Sequence, residues 1–329
     1  MAGAPGSDGH ARFAPGLMHT AASLYYEHDA TQAEIAARLG TSRATVSRLL
    51  AEARRSGIVR IDVRAPEETD DSGLAADVAG ALGIPEAYVV PSAPQRPPGR
   101  VLAPALAGAL RAVGLQPGDV LLVSSGRTIY EASAERLPRL PGVVVVPTVG
   151  GQDEPEAWYQ TNEIVRRVAA AVSGTPKFLY APALPGRDVY QALLGEPSIR
   201  GVLELWHHAQ CAVLGIGAPL LLRDSLPRFV PADATALRSA VADVCSRFYD
   251  REGASVPFPG LDRLVATSFE ALQSTPVSIG VAAGETKVQG IIAGARKGYF
   301  NRLVTDSETA SGIILAVKNP QNKPAARRS

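Results

Sequence analysis

After residue 74 the chain repeats one hydrophobic pattern, in which a short run that is apolar throughout precedes a longer stretch with apolar residues at helical spacing. Runs without polar alternation are typical of parallel strands buried on both faces, and the stretches between them supply crossover helices. We therefore predict a doubly wound, Rossmann-like α/β domain over residues 74–319. Its predicted strands are AYVVP, DVLLVSSG, VVVVPTVGG, KFLYAPAL, CAVLGIG, VSIGVAAG and RLVTD.

The N-terminal segment has a different pattern, in which two short amphipathic helices follow each other closely. Thr31 can cap the first helix, with Glu34 completing a capping box, and Gly40 can end that helix in a tight turn. Ser42 can cap the second helix, whose apolar residues fall on one face. The caps, the glycine turn and the apolar spacing together predict a helix-turn-helix.

Two further segments extend this unit to residues 15–64. Upstream, Leu17, Ala21, Leu24 and Tyr25 recur at helical spacing and predict a supporting first helix. Downstream, the segment IVRIDV alternates apolar and polar residues, which predicts a short β-ribbon or wing. The predicted fold class is thus an N-terminal winged helix-turn-helix domain followed by the larger Rossmann-like α/β domain.

The second helix presents polar residues opposite its apolar stripe, as a recognition helix in the DNA major groove does. An alternative is that Arg43 and Arg48 only solvate an exposed face, but this does not explain why caps, turn and spacing coincide. Arg54, Arg55 and Arg60 would contact phosphates, which adds affinity without sequence information. The residues expected to contact double-stranded operator DNA are Thr31, Gln32, Ser42, Arg43, Thr45, Ser47, Arg48, Arg54 and Arg55.

The distribution of charge supports this division of the chain. The 33 lysines and arginines nearly balance the 32 aspartates and glutamates, so the net charge is +1. Residues 31–64 nevertheless hold seven arginines against three acidic residues, and the acidic segment APEETDDSG follows directly. A basic domain followed by an acidic segment with proline and glycine predicts a linker over residues 65–73. Residues 1–14 and 320–329 are predicted to be disordered tails.

Composition also bears on where the protein works. The first residues lack the apolar stretch of a signal peptide, and the longest charge-free run, residues 205–222, contains histidines, glycines and a proline. We therefore expect a cytoplasmic protein without a membrane partner. Cys211 and Cys245 have no metal-binding spacing and lie in apolar surroundings, so we expect no disulfide, no metal site and no cofactor.

Three predicted strands end in turns that could hold a phosphate group. These are SSGRTIYEA, TVGGQDE and AGETK, and in the last of them Lys287 adds a positive charge. Backbone N–H groups at a helix start attract anions, and ligands of open α/β sheets bind at the carboxyl edge of the strands. Each turn alone could equally be an ordinary strand-to-helix connection, and the chain lacks the glycine patterns of nucleotide-binding loops.

From about residue 17 to residue 318 the chain resembles the SorC family of bacterial carbohydrate-responsive transcription regulators. The resemblance rests on SRATVSRLLAEARRSGIVRI, SSGRTIYEA, VVVVPTVGG, TNEIVRRVAAAVSGTPKFLYAPAL, AVLGIGAP and VAAGETKVQGIIAGARKGYFNRLVTDSETASGIIL. It implies an effector domain similar to sugar-phosphate isomerases and aminosugar-phosphate deaminases. It also implies a phosphorylated sugar or sugar metabolite as effector, and a homo-oligomer, with tetramers the usual form.

Together with the turns, the resemblance implies which residues bind the effector. They are Ser125, Gly126, Arg127, Thr128, Gly150, Gly151, Asn162, Asp243, Asp250, Gly284 and Lys287. The family usually has glycine before the aspartate that corresponds to Asp243, whereas Ala242 stands here, so a helix-surface carboxylate is an equal alternative for Asp243. Glu285 could repel phosphate, accept a sugar hydroxyl or face water.

We predict a ligand-responsive regulator of carbohydrate metabolism genes that acts as a dimer or tetramer. We expect it to be a repressor whose repression the ligand relieves. The alternative is a sugar-phosphate isomerase- or deaminase-like enzyme that carries a DNA-binding domain. Such chemistry needs a carboxylate base and a second acid near the substrate. The segment QDEPE is broken by proline, and His207 and His208 are adjacent and face different directions, so we predict no catalytic residue. A constitutive architectural DNA binder, which would bind no metabolite, is a third class.

Overall fold

The computed structural model describes residues 13–28, 30–59, 71–223, 228–230 and 235–319. It divides the chain into two compact units, residues 1–68 and residues 69–329, which we call the head and the sheet domain. Most of both predicted tails, of the wing and of the linker lies outside the described residues, as does Arg60.

Three helices form the described part of the head: α1 (Pro15–Tyr26), α2 (Gln32–Arg38) and α3 (Arg43–Arg55). The predicted capping box is present, since the Glu34 N–H donates to the Thr31 hydroxyl at 3.3 Å and the Thr31 N–H donates to the Glu34 carboxylate at 2.8 Å. Gly40 has a φ of 60°, which glycine adopts without strain at a helix end. The Ser42 hydroxyl accepts a hydrogen bond from the Thr45 N–H at 3.1 Å, so both predicted caps are confirmed.

A small apolar core holds the three helices together. Its buried members are Met18, Ala21, Ala22, Ile35, Ala36, Val46, Leu49, Leu50 and Ala53. Leu17 was predicted on the buried face of α1 but is 40% exposed, because Met18, Ala21 and Ala22 form the buried stripe instead. Phe13, which the sequence placed in the disordered tail, packs against this core.

The sheet domain is built around seven parallel strands in the spatial order β1-β9-β8-β5-β2-β3-β4. A separate antiparallel hairpin contains β6 and β7. The strands are β1 (Glu86–Val90), β2 (Val120–Val123), β3 (Val144–Pro147), β4 (Thr175–Pro176), β5 (Cys211–Gly215), β6 (Ala242–Val244), β7 (Arg247–Tyr249), β8 (Val277–Val281) and β9 (Arg302–Asp306). The predicted doubly wound α/β domain is confirmed.

Helices cover both faces of this sheet. They are α4 (Asp71–Leu82), α5 (Pro98–Val113), α6 (Arg127–Ala132), α7 (Thr161–Val172), α8 (Arg187–Gly195), α9 (Pro197–Leu205), α10 (Phe269–Ser274), α11 (Val288–Arg296) and α12 (Ser307–Lys318). Successive residues of β2 point to opposite faces, so Val120 and Leu122 enter one apolar core while Leu121 and Val123 enter another. Because α4 begins at Asp71, the last three residues of the predicted linker are helical.

One predicted strand and one predicted alternative need correction. The segment KFLYAPAL was predicted to be a strand, but the regular pairing of β4 with β3 covers only Thr175 and Pro176, and one further bond joins the Lys177 N–H to the Val145 carbonyl oxygen at 2.8 Å. Proline has no N–H for a ladder and favours edge positions such as this one. Asp243, for which a helix surface was the alternative, lies in β6.

The hairpin β6–β7 was not predicted. Its two-residue turn is formed by Cys245 and Ser246, whose φ angles are 52° and 62°. Turns of this geometry are ordinarily signalled by asparagine, aspartate or glycine, and neither residue gives that signal. In the described part of the chain, no helix combines the length and the hydropathy needed to cross a membrane.

Candidate functional site

The strand order creates an opening at the carboxyl edge of the sheet. From β2 the chain moves outward through β3 and β4 and then returns to place β5 on the other side of β2. The loops after β2 and β5 therefore diverge, and ligands of open α/β sheets bind at such a reversal of strand order. The Ser124 hydroxyl joins the two strand ends, because it accepts a hydrogen bond from the Gly215 N–H at 2.7 Å.

A cavity of about 320 Å³ lies at this reversal. It is lined by the loops after β2 and β5, by segments that follow β3 and β8, and by the turn of the hairpin β6–β7. The predicted effector residues that line it are Ser125, Gly126, Arg127, Thr128, Asp243 and Lys287.

The loop after β2 is fastened to the segment of residues 152–159. The Gly126 N–H donates a hydrogen bond to the Trp158 carbonyl oxygen at 2.9 Å. The Arg127 guanidinium carbon lies 4.5 Å from the centroid of the Trp158 ring, which is a cation–π distance. The cavity therefore has an arginine on its wall that an aromatic ring positions.

Two further cationic side chains approach the cavity from other elements. Arg223 forms an ion pair with Asp243, and their side chains are only 16% and 15% exposed. Lys287 follows β8 and donates a hydrogen bond to the Ile216 carbonyl oxygen. Burial and, to a smaller extent, the nearby Arg223 lower the pKa of Lys287, Asp243 raises it in part, and together they bring it to about 8.

The unusual alanine before Asp243 is accommodated by a glycine. The Ala242 methyl group occupies the space beside Gly290 of α11, where a β-carbon on Gly290 would collide with it. Gly217 has a similar role for the neighbouring residue, since a β-carbon there would collide with the Asp243 carboxylate. Ala242 therefore leaves Asp243 on the cavity wall.

Five predicted effector residues do not line this cavity: Gly150, Gly151, Asn162, Asp250 and Gly284. The Asn162 side chain bridges the backbone of Leu179, with bonds of 3.1 Å to its carbonyl oxygen and 3.0 Å from its N–H. Asp250 accepts a hydrogen bond from the Ala254 N–H at 2.8 Å. In these two cases the backbone uses the polar group that was expected to hold the ligand.

Backbone contacts and backbone conformation explain why glycine occupies the other three positions. A β-carbon on Gly150 would lie 2.6 Å from the Ala181 carbonyl oxygen, and the Gly151 N–H donates to that same oxygen at 2.8 Å. The Gly284 N–H donates to the Thr309 hydroxyl at 2.7 Å, and its φ of 113° favours glycine. These residues shape the sheet edge instead of lining the cavity.

Several cavity residues were missed from the sequence. They include Gln152, Trp158, Tyr159, Arg223, Cys245 and Ser246. Gln152 lay inside the turn TVGGQDE that was singled out, so that turn was the available signal. Arg223 follows an apolar run, and its partner Asp243 lies 20 residues further along the chain, so no local pattern connects the two. Glu285 is exposed and is not among the lining residues.

In the head, α3 has the surface that a recognition helix requires. Its exposed residues include Arg43, Ser47, Arg48, Arg54 and Arg55. The Arg48 guanidinium lies 3.4 Å from the Thr45 hydroxyl and 5.9 Å from the centroid of the Phe13 ring.

The remaining predicted DNA contacts are less available or already paired. Gln32 is half-buried at the start of α2. Thr31 donates its hydroxyl to Glu34 at 2.8 Å, and Arg55 forms an ion pair with Glu52. The arginines at the N-terminal part of α3 are therefore the strongest candidates for reading bases.

The same two units are found in known proteins. Residues 67–315 match the family model described as "Putative sugar-binding domain", and residues 12–68 match the model of the Crp-like helix-turn-helix domain. The sorbitol operon regulator of Klebsiella pneumoniae is 31% identical over 304 residues, which cover 89% of this chain and 96% of that protein. The chain belongs to the SorC family. The two family matches meet at residues 67–68, where the structure also divides the chain.

A second relative and two solved structures agree with this assignment. The deoxyribonucleoside regulator of Bacillus subtilis is 32% identical over 311 residues, covering 89% of this chain and 96% of that protein. The crystal structure of full-length SorC from Klebsiella pneumoniae has a TM-score of 0.74 at 29% identity and covers 91% of this chain and 98% of that one. A SorC-family regulator from Enterococcus faecalis has a TM-score of 0.63 at 26% identity, covering 74% of this chain and 99% of that one.

Proposed function

We propose that the protein is a ligand-responsive repressor, which binds double-stranded operator DNA through the head and a phosphorylated sugar in the cavity of the sheet domain. The observation that carries the proposal is the charge of the cavity. Its described lining includes three cationic side chains, Arg127, Arg223 and Lys287, and a single carboxylate, Asp243.

A phosphate monoester complements this charge. At pH 7 it carries about 1.5 to 2 negative charges and accepts charge-assisted hydrogen bonds from arginine and lysine. A bound phosphate would offset the repulsion between Arg223 and Lys287, which Asp243 offsets only in part. A volume of about 320 Å³ also suits a small metabolite.

The names of the relatives support a carbohydrate-derived effector. One is a sorbitol operon regulator and another a deoxyribonucleoside regulator. That the effector of this chain is phosphorylated, and that it relieves repression, are our own proposals. The names do not state either point; the positive charge of the cavity lining supports a phosphorylated effector.

Control of DNA binding would act through an oligomer. Two heads of a dimer, or of a dimer within a tetramer, would grip half-sites about 34 to 36 Å apart or a multiple of that distance. The effector shifts the placement of the heads only as far as its affinity differs between the two arrangements.

Titration calorimetry with the full-length protein tests the ligand class. The probes are sorbitol, sorbitol 6-phosphate, fructose 6-phosphate, ribose 5-phosphate, 2-deoxyribose 5-phosphate and inorganic phosphate. We expect sorbitol 6-phosphate or another sugar phosphate to bind about 100-fold more tightly than sorbitol, because several charge-assisted hydrogen bonds depend on the phosphate. Lys287→Ala should weaken that binding at least about tenfold.

The control is Lys177→Ala, which removes an exposed lysine outside the cavity and should leave affinity unchanged. Fluorescence gives a second readout, because Trp158 contacts Arg127 whereas Trp206 is buried and bonded to the Pro147 carbonyl oxygen. Binding should change the emission of the wild type and not that of Trp158→Phe. Equal affinity for sorbitol and its phosphate, or wild-type affinity in Lys287→Ala, would contradict the proposed ligand class.

The enzyme alternative has little support at the cavity. Its described lining includes one carboxylate, Asp243, and that group is already paired with Arg223. His207 and His208 are exposed in the turn after α9. We therefore propose no catalytic residue, and product formation from any sugar phosphate of the panel would establish the alternative.

A further inference from the structure

Gln152 is a buried polar residue on the cavity wall. It is 7% exposed, and its Nε2 donates a hydrogen bond to the Ser125 hydroxyl at 3.2 Å. Its Oε1 is withdrawn from solvent and accepts no hydrogen bond. One half of the carboxamide is thus fixed, and the other half lacks a partner.

An amide oxygen in this state is costly. Leaving a buried acceptor unpaired disfavours the fold, because the atom has lost its hydrogen bonds to water, so such atoms are uncommon unless a ligand supplies the partner. Other buried side-chain atoms without a partner occur in the described part of the chain, on Thr148, Glu156, Thr161, Arg263 and Thr305. None of those residues lines the cavity, whereas Gln152 does.

The chemistry of the missing partner follows from the atom. A carbonyl oxygen accepts hydrogen bonds and cannot donate one, so its partner must carry an O–H or N–H group. The phosphoryl group of an ester dianion has no such group, and the O–H of inorganic hydrogen phosphate lies on the anionic group itself, which the cationic residues bind. The cationic residues of the cavity and Gln152 therefore suit different parts of a ligand, an anionic group and a hydroxyl group.

The position of the carboxamide is restrained through its Nε2 and through the segment that carries it. Ser125 holds its Nε2, and Ser125 belongs to the same loop as Gly126, whose N–H is bonded to the Trp158 carbonyl oxygen. Gln152 and Trp158 belong to one segment, which is therefore attached to the loop after β2 at two places. A restrained acceptor discriminates between ligands more strongly than a mobile one, because it cannot turn to find another donor.

We propose that Gln152 is a specificity-determining residue, whose Oε1 accepts a hydrogen bond from a hydroxyl group of the sugar phosphate. This inference rests on the proposed function, because it assigns a binding residue to the sugar part of the ligand whose phosphate the cationic residues bind. It predicts that the effector is a hydroxylated phosphate ester and that the protein distinguishes it from inorganic phosphate through Gln152.

The test compares the affinities of three full-length variants for two probes by calorimetry. The probes are inorganic phosphate and the sugar phosphate that the wild type binds most tightly among sorbitol 6-phosphate, fructose 6-phosphate, ribose 5-phosphate and 2-deoxyribose 5-phosphate. Gln152→Met removes the acceptor with little change in side-chain length. It should lower the affinity for the sugar phosphate about tenfold or more. It should leave the affinity for inorganic phosphate within about twofold.

Two variants separate this role from others. Gln273→Met changes an exposed glutamine outside the cavity and should alter neither affinity. Ser125→Ala removes the hydroxyl that holds Nε2. If Gln152 only supported the loop after β2, then Gln152→Met and Ser125→Ala would lower the affinities for inorganic phosphate and for the sugar phosphate by similar factors.

Such parallel losses, or wild-type affinities in Gln152→Met, would overturn the assignment of Gln152 while the proposed function stands. Failure of the wild type to bind any of the sugar phosphates would overturn the proposed function, and this assignment with it. Selective loss of the sugar phosphate supports both.

Discussion

Lys287 carries its charge in an environment that disfavours it. Burial and Arg223 lower its pKa to about 8, and Asp243 opposes that shift, so the free protein begins to lose this charge near physiological pH. An anionic ligand stabilises the protonated form and therefore raises the pKa of Lys287 on binding. The affinity for a phosphate ester must then depend on pH.

The affinity of the wild type for a phosphate ester should fall at alkaline pH. Above pH 7 the charge of a phosphate ester is nearly constant, because its second pKa is about 6. Affinity should be steady up to about pH 8 and should then fall by up to about tenfold per pH unit, as the free protein loses the Lys287 proton that the complex keeps. Calorimetric titrations between about pH 7 and pH 10 measure the change.

Lys287→Arg is the matched variant, because a guanidinium stays protonated throughout this range. It should bind phosphate esters with an affinity that is flat with pH. The same alkaline loss in Lys287→Arg as in the wild type would show that another group is responsible.

The sequence predicted some single residues of the cavity and missed others for a physical reason. Lys287 and Arg127 stand in turns directly after predicted strands, so the edge of the sheet locates them. Asn162 and Asp250 are polar residues that were expected near the ligand, but their side chains bond Leu179 and Ala254 instead. A sequence shows that a polar group exists, and it does not show which backbone groups use it.

At the scale of elements, the long and strongly patterned segments were predictable. The parallel strands and the helix-turn-helix have periodic apolar residues, and the head also has caps at fixed spacing. The hairpin β6–β7 was not predictable, because its strands have only three residues each and its turn residues are cysteine and serine. That hairpin contributes Asp243, so the missing element also hid the ion pair with Arg223.

Two arginines of helix α3 should have different effects on DNA binding. Arg48 lies near the Phe13 ring and the Thr45 hydroxyl on the exposed face, whereas Arg55 lies in the last turn and pairs with Glu52. Arg48→Ala should relax the preference at one base position and cost about 1–3 kcal/mol there. Arg55→Ala should lower the affinity for all DNA sequences equally. It should also reduce the slope of log affinity against log salt concentration by about one.

Anisotropy titrations of both variants, against a set of operator variants and at several salt concentrations, distinguish these effects. The operator is selected from random DNA by the wild-type protein. If both substitutions cause the same loss on every sequence, the placement of α3 in the major groove is wrong.

At the scale of the whole molecule, the chain joins a unit with a DNA-binding fold to a unit whose cavity is lined by three cationic side chains and one carboxylate. The nearly neutral total charge conceals this arrangement, because the basic excess lies in residues 31–64. The proposed function requires a coupling free energy between effector binding in the cavity and operator binding by the head. Couplings of this kind are about 1–3 kcal/mol, which corresponds to about 5- to 150-fold in affinity.

Ligand control of DNA binding is tested by measuring operator affinity with and without the sugar phosphate that binds most tightly, in the wild type, Lys287→Ala and Lys177→Ala. We predict that the ligand weakens operator binding at least about fivefold in the wild type and in Lys177→Ala. Lys287→Ala should bind the operator normally and should not respond to the same ligand concentration. A full ligand response in Lys287→Ala, or no response in the wild type, would contradict the account.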